Sequence, residues 1–434
     1  MIVISGKDIS KAYGTDIITE DVCFGVNKGD RIGVVGANGC GKSTLLGIIA
    51  GEVEPTSGEV FIRRDQSLAY LKQNNNFLGS GSVISEASKS FDYLYEMEKR
   101  IKELEALISD HESEDFGKNL SEYTELMEEY EKQGGYTYKS ELSSTLKAMG
   151  FTEEDLDKTT DKLSGGERTR LALSCILLRK PDILMLDEPT NHLDLSMLAW
   201  LEAYLAGYKG TLIVVSHDRY FLDRIVGRIF DMNEGTLDAY EGNYSEYLVK
   251  KEEHMEVLRR EHARQQAEVA RQEEMIRRFK QHGTEHLAKR ARSREKRLAQ
   301  MELIEKPKIR QSRMKISFDA DFKSGGEVLV AEGLSKSYGS RMLFKDVDML
   351  IRKGERVCII GDNGIGKTTL LKIILGLEKA DVGYLKAGYN VDFGYYDQGQ
   401  LMLDENETVL GEMKNASFMS TGWSFWLRRR RMSE

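Results

Sequence analysis

The chemistry in this chain is concentrated in two short stretches. Gly36-Ala37-Asn38-Gly39-Cys40-Gly41-Lys42-Ser43 has the spacing G-x-x-x-x-G-K-[ST]. It follows the β-branched run Arg31-Ile32-Gly33-Val34-Val35 and precedes Thr44-Leu45-Leu46-Gly47-Ile48-Ile49. Glycines let the backbone curl so that several N–H groups face one point, and a helix N-terminus adds its dipole there; phosphates bind such a place. Lys42 supplies a point charge for β- and γ-phosphates, the Ser43 hydroxyl is a Mg²⁺ ligand, and Thr44 carries the cradle into the helix. Asp187 ends the apolar run Ile183-Leu184-Met185-Leu186 and Glu188 follows it. A carboxylate at a strand end beside a phosphate loop can hold Mg²⁺, and a second can polarise the attacking water.

The cradle occurs twice. Gly361-Asp362-Asn363-Gly364-Ile365-Gly366-Lys367-Thr368, continued by Thr369, repeats it at a constant offset of 325 positions. The same offset relates Tyr13 to Tyr338, Asp21 to Asp346, Gly29 to Gly354, Gly58 to Gly383 and Gln73 to Gln398. The chain therefore holds two copies of one module, and the second is expected in the same strand–loop–helix context.

These loops need an α/β scaffold. The first copy, 1–245, alternates aliphatic strands such as Thr211-Leu212-Ile213-Val214-Val215 with helical stretches. An acidic insertion at 88–133 has helical periodicity (Leu94, Ile101, Leu104, Leu107, Ile108) and stops at Gly134-Gly135. It reads as a helical arm, or as helices packed on the domain. Residues 246–310 read as two long helices joined near His282-Gly283-Thr284 and ended by Pro307, the first reaching ~50 Å. The second copy occupies 325–410. Its pattern is lost after Gln398, and 411–434, with Trp423, Trp426 and Arg428–Arg431, resemble nothing in copy one. That tail is expected to be aberrant, from truncation or a shifted frame.

Composition narrows the class. No apolar run approaches the ~18 residues that cross a bilayer, and Met1-Ile2-Val3-Ile4 is too short for a signal core, so a soluble cytoplasmic chain is expected. Cys23, Cys40, Cys175 and Cys358 show neither CxxC spacing nor a histidine cluster, which argues against disulfides and zinc. The net charge of −9 is unevenly spread: residues 250–310 hold 18 Lys/Arg against 11 Glu. Such density can replace counterions on RNA phosphates, or be solvated as i,i+4 pairs such as Glu256/Arg260 and Glu274/Arg278.

Leu163-Ser164-Gly165-Gly166-Glu167 and the following helix resemble the signature of ATP-binding-cassette ATPases. With Tyr13, Gln73, Asp187-Glu188 and His217, copy one resembles a complete cassette of the P-loop NTPase fold in the expected order. The resemblance implies ATP and Mg²⁺ as cofactors. It implies that Tyr13 and Tyr338 stack on adenine, and that Ser43, Thr368, Asp187, Gln73 and Gln398 serve the metal. It also implies that Ser164, Gly165, Gly166 and Glu167 form a second anion site capping the γ-phosphate of a facing copy, that Glu188 is the general base, and that His217 touches the γ-phosphate.

Asn191-His192-Leu193-Asp194 after Pro189-Thr190 resembles the F subfamily. That subfamily has two cassettes on one chain, an arm in the first and a charged helical linker. Its linker reaches the ribosomal RNA of the peptidyl-transferase region and the P-site tRNA. The resemblance implies closure of paired cassettes on ATP binding and opening on hydrolysis. The residues do not separate elongation support, stress response and protection against an antibiotic. Copy two as given lacks a signature, an Asp-Glu pair and a switch histidine, so hydrolysis is expected to be weak unless two chains pair their first cassettes as a homodimer. A transporter's ATPase subunit, a DNA-repair ATPase and an ATP-binding fragment of impaired hydrolysis remain alternative readings.

Overall fold

Continuous aliphatic runs, without polar alternation, become the strands that carry the site. In β6 (Ile183–Asp187) and β7 (Thr211–Val215) every residue is buried, as a parallel strand covered on both faces requires. The computed structural model describes residues 1–73, 81–109, 115–233, 235–281, 292–296, 298, 325–339, 341–391, 393–396, 407–408 and 411. Gln398, the tail 411–434 beyond residue 411, and most of the second linker helix lie outside the described residues. Two units divide the chain, Met1–Arg310 and Gln311–Glu434.

In the first unit, β6 and β7 belong to a six-stranded sheet with β3 (Arg31–Gly36), β5 (Leu68–Leu71), β8 (Arg228–Asn233) and β9 (Thr236–Glu241), in the order β5-β6-β7-β3-β8-β9. All neighbours pair parallel except β8 with the edge strand β9. A second, antiparallel sheet joins β1 (Ile2–Tyr13) to β2 (Asp16–Asn27) and β4 (Ser57–Ile62). Val3, Ile4, Ile9, Val22 and Val26 of that sheet share one core with Ile32, Val34, Ile213 and Phe230, and with Leu45, Leu46, Ile48 and Ile49 of α1 (Lys42–Ile49). The helix that begins in the phosphate loop is thereby packed against both sheets. Truncating one such buried leucine to alanine typically costs about 2–5 kcal/mol.

The alternate residues of the same strands, Leu184, Leu186, Leu212 and Val214, face a second core built by helices. These include α5 (Tyr138–Ala148), α6 (Gly165–Leu178), α7 (Leu195–Gly207) and α8 (Arg219–Ile225). After α2 (Val83–Ser88), the acidic insertion forms α3 (Asp92–Ile108) and α4 (Phe116–Lys132), tied by Arg100–Glu122 at 2.7 Å. Of its apolar residues, Leu94, Ile101 and Tyr130 enter the helical core, whereas Leu107 and Leu120 are exposed.

The linker begins as α9 (Tyr244–Gln281), 38 residues, or ~57 Å at 1.5 Å per residue. Arg294 donates to Gln272 and lies over Phe279, and Lys280 pairs with Glu295 at 2.6 Å, so residues 292–296 fold back along it. The root of α9 is fastened by a buried charge. Lys251 Nζ lies 2.5 Å from the buried Asp231 carboxylate of β8 and donates to the Tyr247 hydroxyl at 2.9 Å.

The second unit repeats the opening of the first in backbone detail. β10 (Glu327–Tyr338) pairs antiparallel with β11 (Arg341–Arg352) and β12 (Val382–Ala387), and α10 (Lys367–Ile374) follows the second glycine loop. Left-handed φ values recur at the 325 offset: 48° at Asp21 and 49° at Asp346, 77° at both Gly39 and Gly364, 99° at Gly41 and 105° at Gly366. One expectation fails here. Residues 356–361, the counterpart of β3, form no strand, and Val357 and Ile360 are 54% and 71% exposed. The reason is that β3 is held by its neighbours β7 and β8, and the described residues of the second unit supply no counterpart of either.

Removing Lys251 leaves the Asp231 carboxylate buried and unpaired. Lys251→Met is expected to destabilise the first unit by about 2–3 kcal/mol, somewhat below the ~3–5 of a fully buried pair because Lys251 is partly exposed. Arg260→Ala, which breaks an exposed pair, costs under ~0.5 kcal/mol. Urea unfolding of both variants checks this; equal losses would show the anchor to be a surface pair.

Candidate triphosphate site

β3 delivers the chain into Gly36–Ser43 and α1 takes it over at Lys42. Space alone enforces two of the glycines: a Cβ on Gly36 would meet the Met232 carbonyl oxygen at 2.4 Å, and one on Gly41 would meet Ile18 at 2.6 Å. Both also have positive φ, 152° and 99°. The N-cap Gly41 offers no side-chain acceptor, so the first amides of α1 have no capping partner. Lys42 is buried and its Nζ donates to the carbonyls of Gly36 at 3.1 Å and Ala37 at 2.9 Å. An ammonium and a set of uncapped amides thus converge on one loop containing Ala37, Asn38, Gly39 and Cys40, with Ser43 and Thr44 in the first turn.

Asp187 and Glu188 stand at the C-terminal end of β6, only 3% and 8% exposed. Glu188 has φ 51°, a region uncommon for non-glycine residues and costly to hold. Its amide is fixed by donating to the Val215 carbonyl at 2.9 Å. Burial raises the Asp187 carboxyl above its ordinary range, against the pull of the Ser43 hydroxyl, Lys42, the Tyr70 hydroxyl and His217. Burial likewise raises Glu188; His217 opposes this and Asp187 adds to it. The His217 amide donates to Glu188 Oε2 at 3.4 Å, and His217 Nε2 approaches Oε1 at 3.4 Å.

The donor set fits a divalent cation. Asp187 Oδ1 is buried without a hydrogen-bond partner, and the Ser43 hydroxyl acts on the same carboxylate. Among the described residues no group of three His, Cys, Asp or Glu could hold a metal. A single carboxylate with a hydroxyl suits Mg²⁺, which keeps waters and takes phosphate oxygens as its other ligands. Gln73 is exposed two residues beyond β5, where the register Leu71↔Leu186 brings the β5 end beside that of β6. Tyr13 ends β1, exposed, opposite Asp16.

Gly36–Thr44, Asp187, Glu188 and His217 therefore meet. Ser164, Gly165, Gly166 and Glu167 stand elsewhere, at the N-terminus of α6, and are absent from the described contacts of that group. Ser164 caps α6, accepting from the Glu167 amide at 3.3 Å, while its own amide and hydroxyl donate to Glu167 Oε2 at 2.8 and 2.6 Å. Burial pushes the Glu167 carboxyl up, yet the Ser164 bonds hold it below its ordinary value. Glu167 is thus engaged as the capping partner that shapes this helix end. A Cβ on Gly166 would lie 3.3 Å from His192, so the Asn-His-Leu-Asp segment packs over the signature. In the second unit Lys367 bonds the carbonyls of Gly361 and Asp362, Thr368 and Thr369 open α10, and the Tyr338 hydroxyl bonds Glu378.

The sequence reading missed Tyr70. Its register partner is Met185, two residues before Asp187 and on the same face of β6, and its hydroxyl interacts with Asp187. Its counterpart at the 325 offset is Tyr395, a repeat that could have flagged it.

A family model described as ABC transporter matches residues 19–191 and 344–418, and a second of the same description matches 230–318. The chain is 38% identical to the Bacillus subtilis protein YdiF over 95% of its own length and 64% of that protein's. It is 35% identical to ABC transporter F family member 5 of Arabidopsis thaliana, over 93% of its length and 59% of the relative's. It is 34% identical to the energy-dependent translational throttle protein EttA of Mycobacterium tuberculosis, over 93% and 71%. The chain belongs to the F family of ATP-binding-cassette proteins. It spans less than two thirds of the first two relatives. Its fold is that of the P-loop ABC ATPase, and the family implies ATP with Mg²⁺. Among the described residues no helix is long and apolar enough to cross a membrane.

The raised Glu188 carboxyl carries a sign. A carboxyl raised above its unfolded value contributes stability at low pH and loses it as pH rises through the raised value. At neutral pH the charged Glu188 therefore costs stability. Glu188→Gln is expected to melt higher than the parent at pH 7.5 without nucleotide, the gain vanishing as pH falls into the carboxylate range. Thermal melts across pH check this; a lower melting temperature at pH 7.5 contradicts it.

Proposed function

We propose that this chain is an ATP-switched protein of the translating ribosome, its linker bound to RNA and its shape set by the γ-phosphate. One observation supports the reading: the glycine loop and a 38-residue helix carrying nine Lys/Arg against eight Glu are joined through a single strand. Met232 of β8 abuts Gly36 of the loop, and its neighbour Asp231 anchors Lys251 of α9. A relative named for throttling translation agrees with it.

The loop amides from Gly36 to Ser43 bind the β-phosphate oxygens, and Lys42 leaves its carbonyl partners to reach the β- and γ-phosphates. Ser43, Asp187 and Gln73 would hold Mg²⁺, which neutralises charge on those oxygens. Tyr13 takes the adenine. Glu188, whose carboxyl burial raises above its ordinary value, accepts a proton from the attacking water, and His217 bonds the γ-phosphate. Ser164, Gly165 and Gly166 cap the γ-phosphate from a facing cassette, since they stand apart from their own chain's loop. Two chains paired through their first cassettes supply both halves of such a site. Closure with ATP and opening after hydrolysis bias two conformations.

For RNA, the structure sorts the cations. Arg260, Arg278 and Lys280 are paired with Glu256, Glu274 and Glu295. Arg259, Arg264, Arg271 and Arg277 are exposed and enter no described ion pair. These four are free to displace counterions from phosphates. Lys289, Arg290 and Arg297 of the second linker helix lie outside the described residues.

Pelleting with ribosomes tests the proposal. The Glu188→Gln chain should be retained with ATP and Mg²⁺ and released with ADP. Changing Arg259, Arg264, Arg271 and Arg277 together to Gln should weaken retention at least ~10-fold and flatten its salt dependence, by up to ~0.7–0.9 in log–log slope per lost phosphate contact. Arg260→Gln with Arg278→Gln should change it under ~3-fold. Retention indifferent to nucleotide, or to the four arginines, would reject the reading.

A further inference from the structure

We propose that Lys11 is a specificity-determining residue of the nucleotide site: its ammonium is fixed behind the Tyr13 ring, leaving one face for a purine base and strengthening the stack. The proposal rests on the reading of Tyr13 as the base-stacking residue and deepens it.

Lysine on a surface strand ordinarily extends its flexible stem into water. Lys11 does not. Its Nζ lies 5.0 Å from the Tyr13 ring centroid and donates to the Glu54 carbonyl at 2.7 Å. The second unit repeats the arrangement: Lys336 Nζ lies 5.4 Å from the Tyr338 centroid and donates to the Lys379 carbonyl at 2.7 Å. Lysine, tyrosine and carbonyl all recur at the offset of 325. The carbonyl belongs to glutamate in one copy and lysine in the other, so the anchor is the backbone and survives change of side chain. A contact built twice in this way belongs to the module.

Its place makes it useful. The β1–β2 hairpin lies against the phosphate loop, with Ile18 2.6 Å from a Cβ on Gly41, and the β10–β11 hairpin repeats this, with Leu343 3.1 Å from one on Gly366. Tyr13 ends the first strand of that hairpin and remains 53% exposed with one face covered by the ammonium. A base attached to phosphates in the loop has the other face to stack on. A cation over one face draws π-density toward itself, so the open face becomes a better partner for an electron-rich purine. The tethered amine also restrains the ring before the base arrives, lowering the ordering cost of binding. Lys336 shares its charge with Asp381 at 3.2 Å and Glu378 at 3.4 Å, whereas no described ion pair involves Lys11. The effect belongs chiefly to the first site.

Calorimetry of the full chain with ATP and with inorganic tripolyphosphate, both with Mg²⁺, separates base from phosphate. Lys11→Met should weaken ATP roughly 3–5-fold, the size of an exposed cation–π contribution, and leave tripolyphosphate unchanged. Lys11→Arg should restore ATP affinity. In a Tyr13→Ala background, Lys11→Met should add nothing. ATP affinity of Lys11→Met within ~1.5-fold of the parent overturns the proposal, as does equal weakening of both ligands, which would make Lys11 part of the phosphate field. If Tyr13→Ala leaves the ratio of ATP to tripolyphosphate affinity unchanged, it is the stacking reading that fails, and the proposal with it.

Discussion

The first unit is organised around charge kept out of water without sufficient partners. Asp187 and Glu188 are buried, each with a carboxylate oxygen that accepts no hydrogen bond, while the described hydrogen bonds of Lys42 go to loop carbonyls and the first amides of α1 have no side-chain cap. Each of these groups is expensive to desolvate alone. A triphosphate with its cation, the ligand that the family implies, would satisfy both signs together. The rest of the fold holds the unsatisfied groups in register: two sheets grip α1, and the Val215 carbonyl keeps Glu188 in a left-handed conformation it would not choose.

What could be read from sequence was whatever local chemistry determines. The glycines are dictated by φ and by the close approach of Met232 and Ile18, so their spacing survives as a motif. The β6 and β7 strands are aliphatic throughout because both faces are covered, so their runs stood out, and Asp187 could be placed at a strand end. Contacts set by tertiary packing were not readable. Tyr70 reaches Asp187 through the register of two strands over a hundred residues apart in sequence. The engagement of Glu167 in the Ser164 cap competes with a role toward phosphate, and spacing alone cannot apportion one carboxylate between them.

The counterpart of β3 shows the same limit from the other side. Residues 356–361 have a strand's composition and lead into an intact glycine loop, yet they form no strand. Strand propensity fits a side chain to a pleated, half-buried surface; it does not supply the neighbours. The glycine loop keeps its left-handed φ values regardless, because those depend on a few consecutive residues rather than on a sheet. Local chemistry and long-range pairing thus separate cleanly within one module.

The same reasoning bears on how nucleotide state could reach the linker. Long-range coupling needs an element with two arrangements that both ends bias. β8 is hydrogen-bonded on both sides, parallel to β3 and antiparallel to β9, so a shift at Met232 would be felt at Asp231 one residue away. Asp231 cannot release Lys251 cheaply, since an unpaired buried carboxylate is the worse state. The ammonium and the Tyr247 hydroxyl bonded to it therefore follow the strand. Over ~57 Å of helix, a rotation of a few degrees at this root becomes a displacement of a few ångströms at the far end.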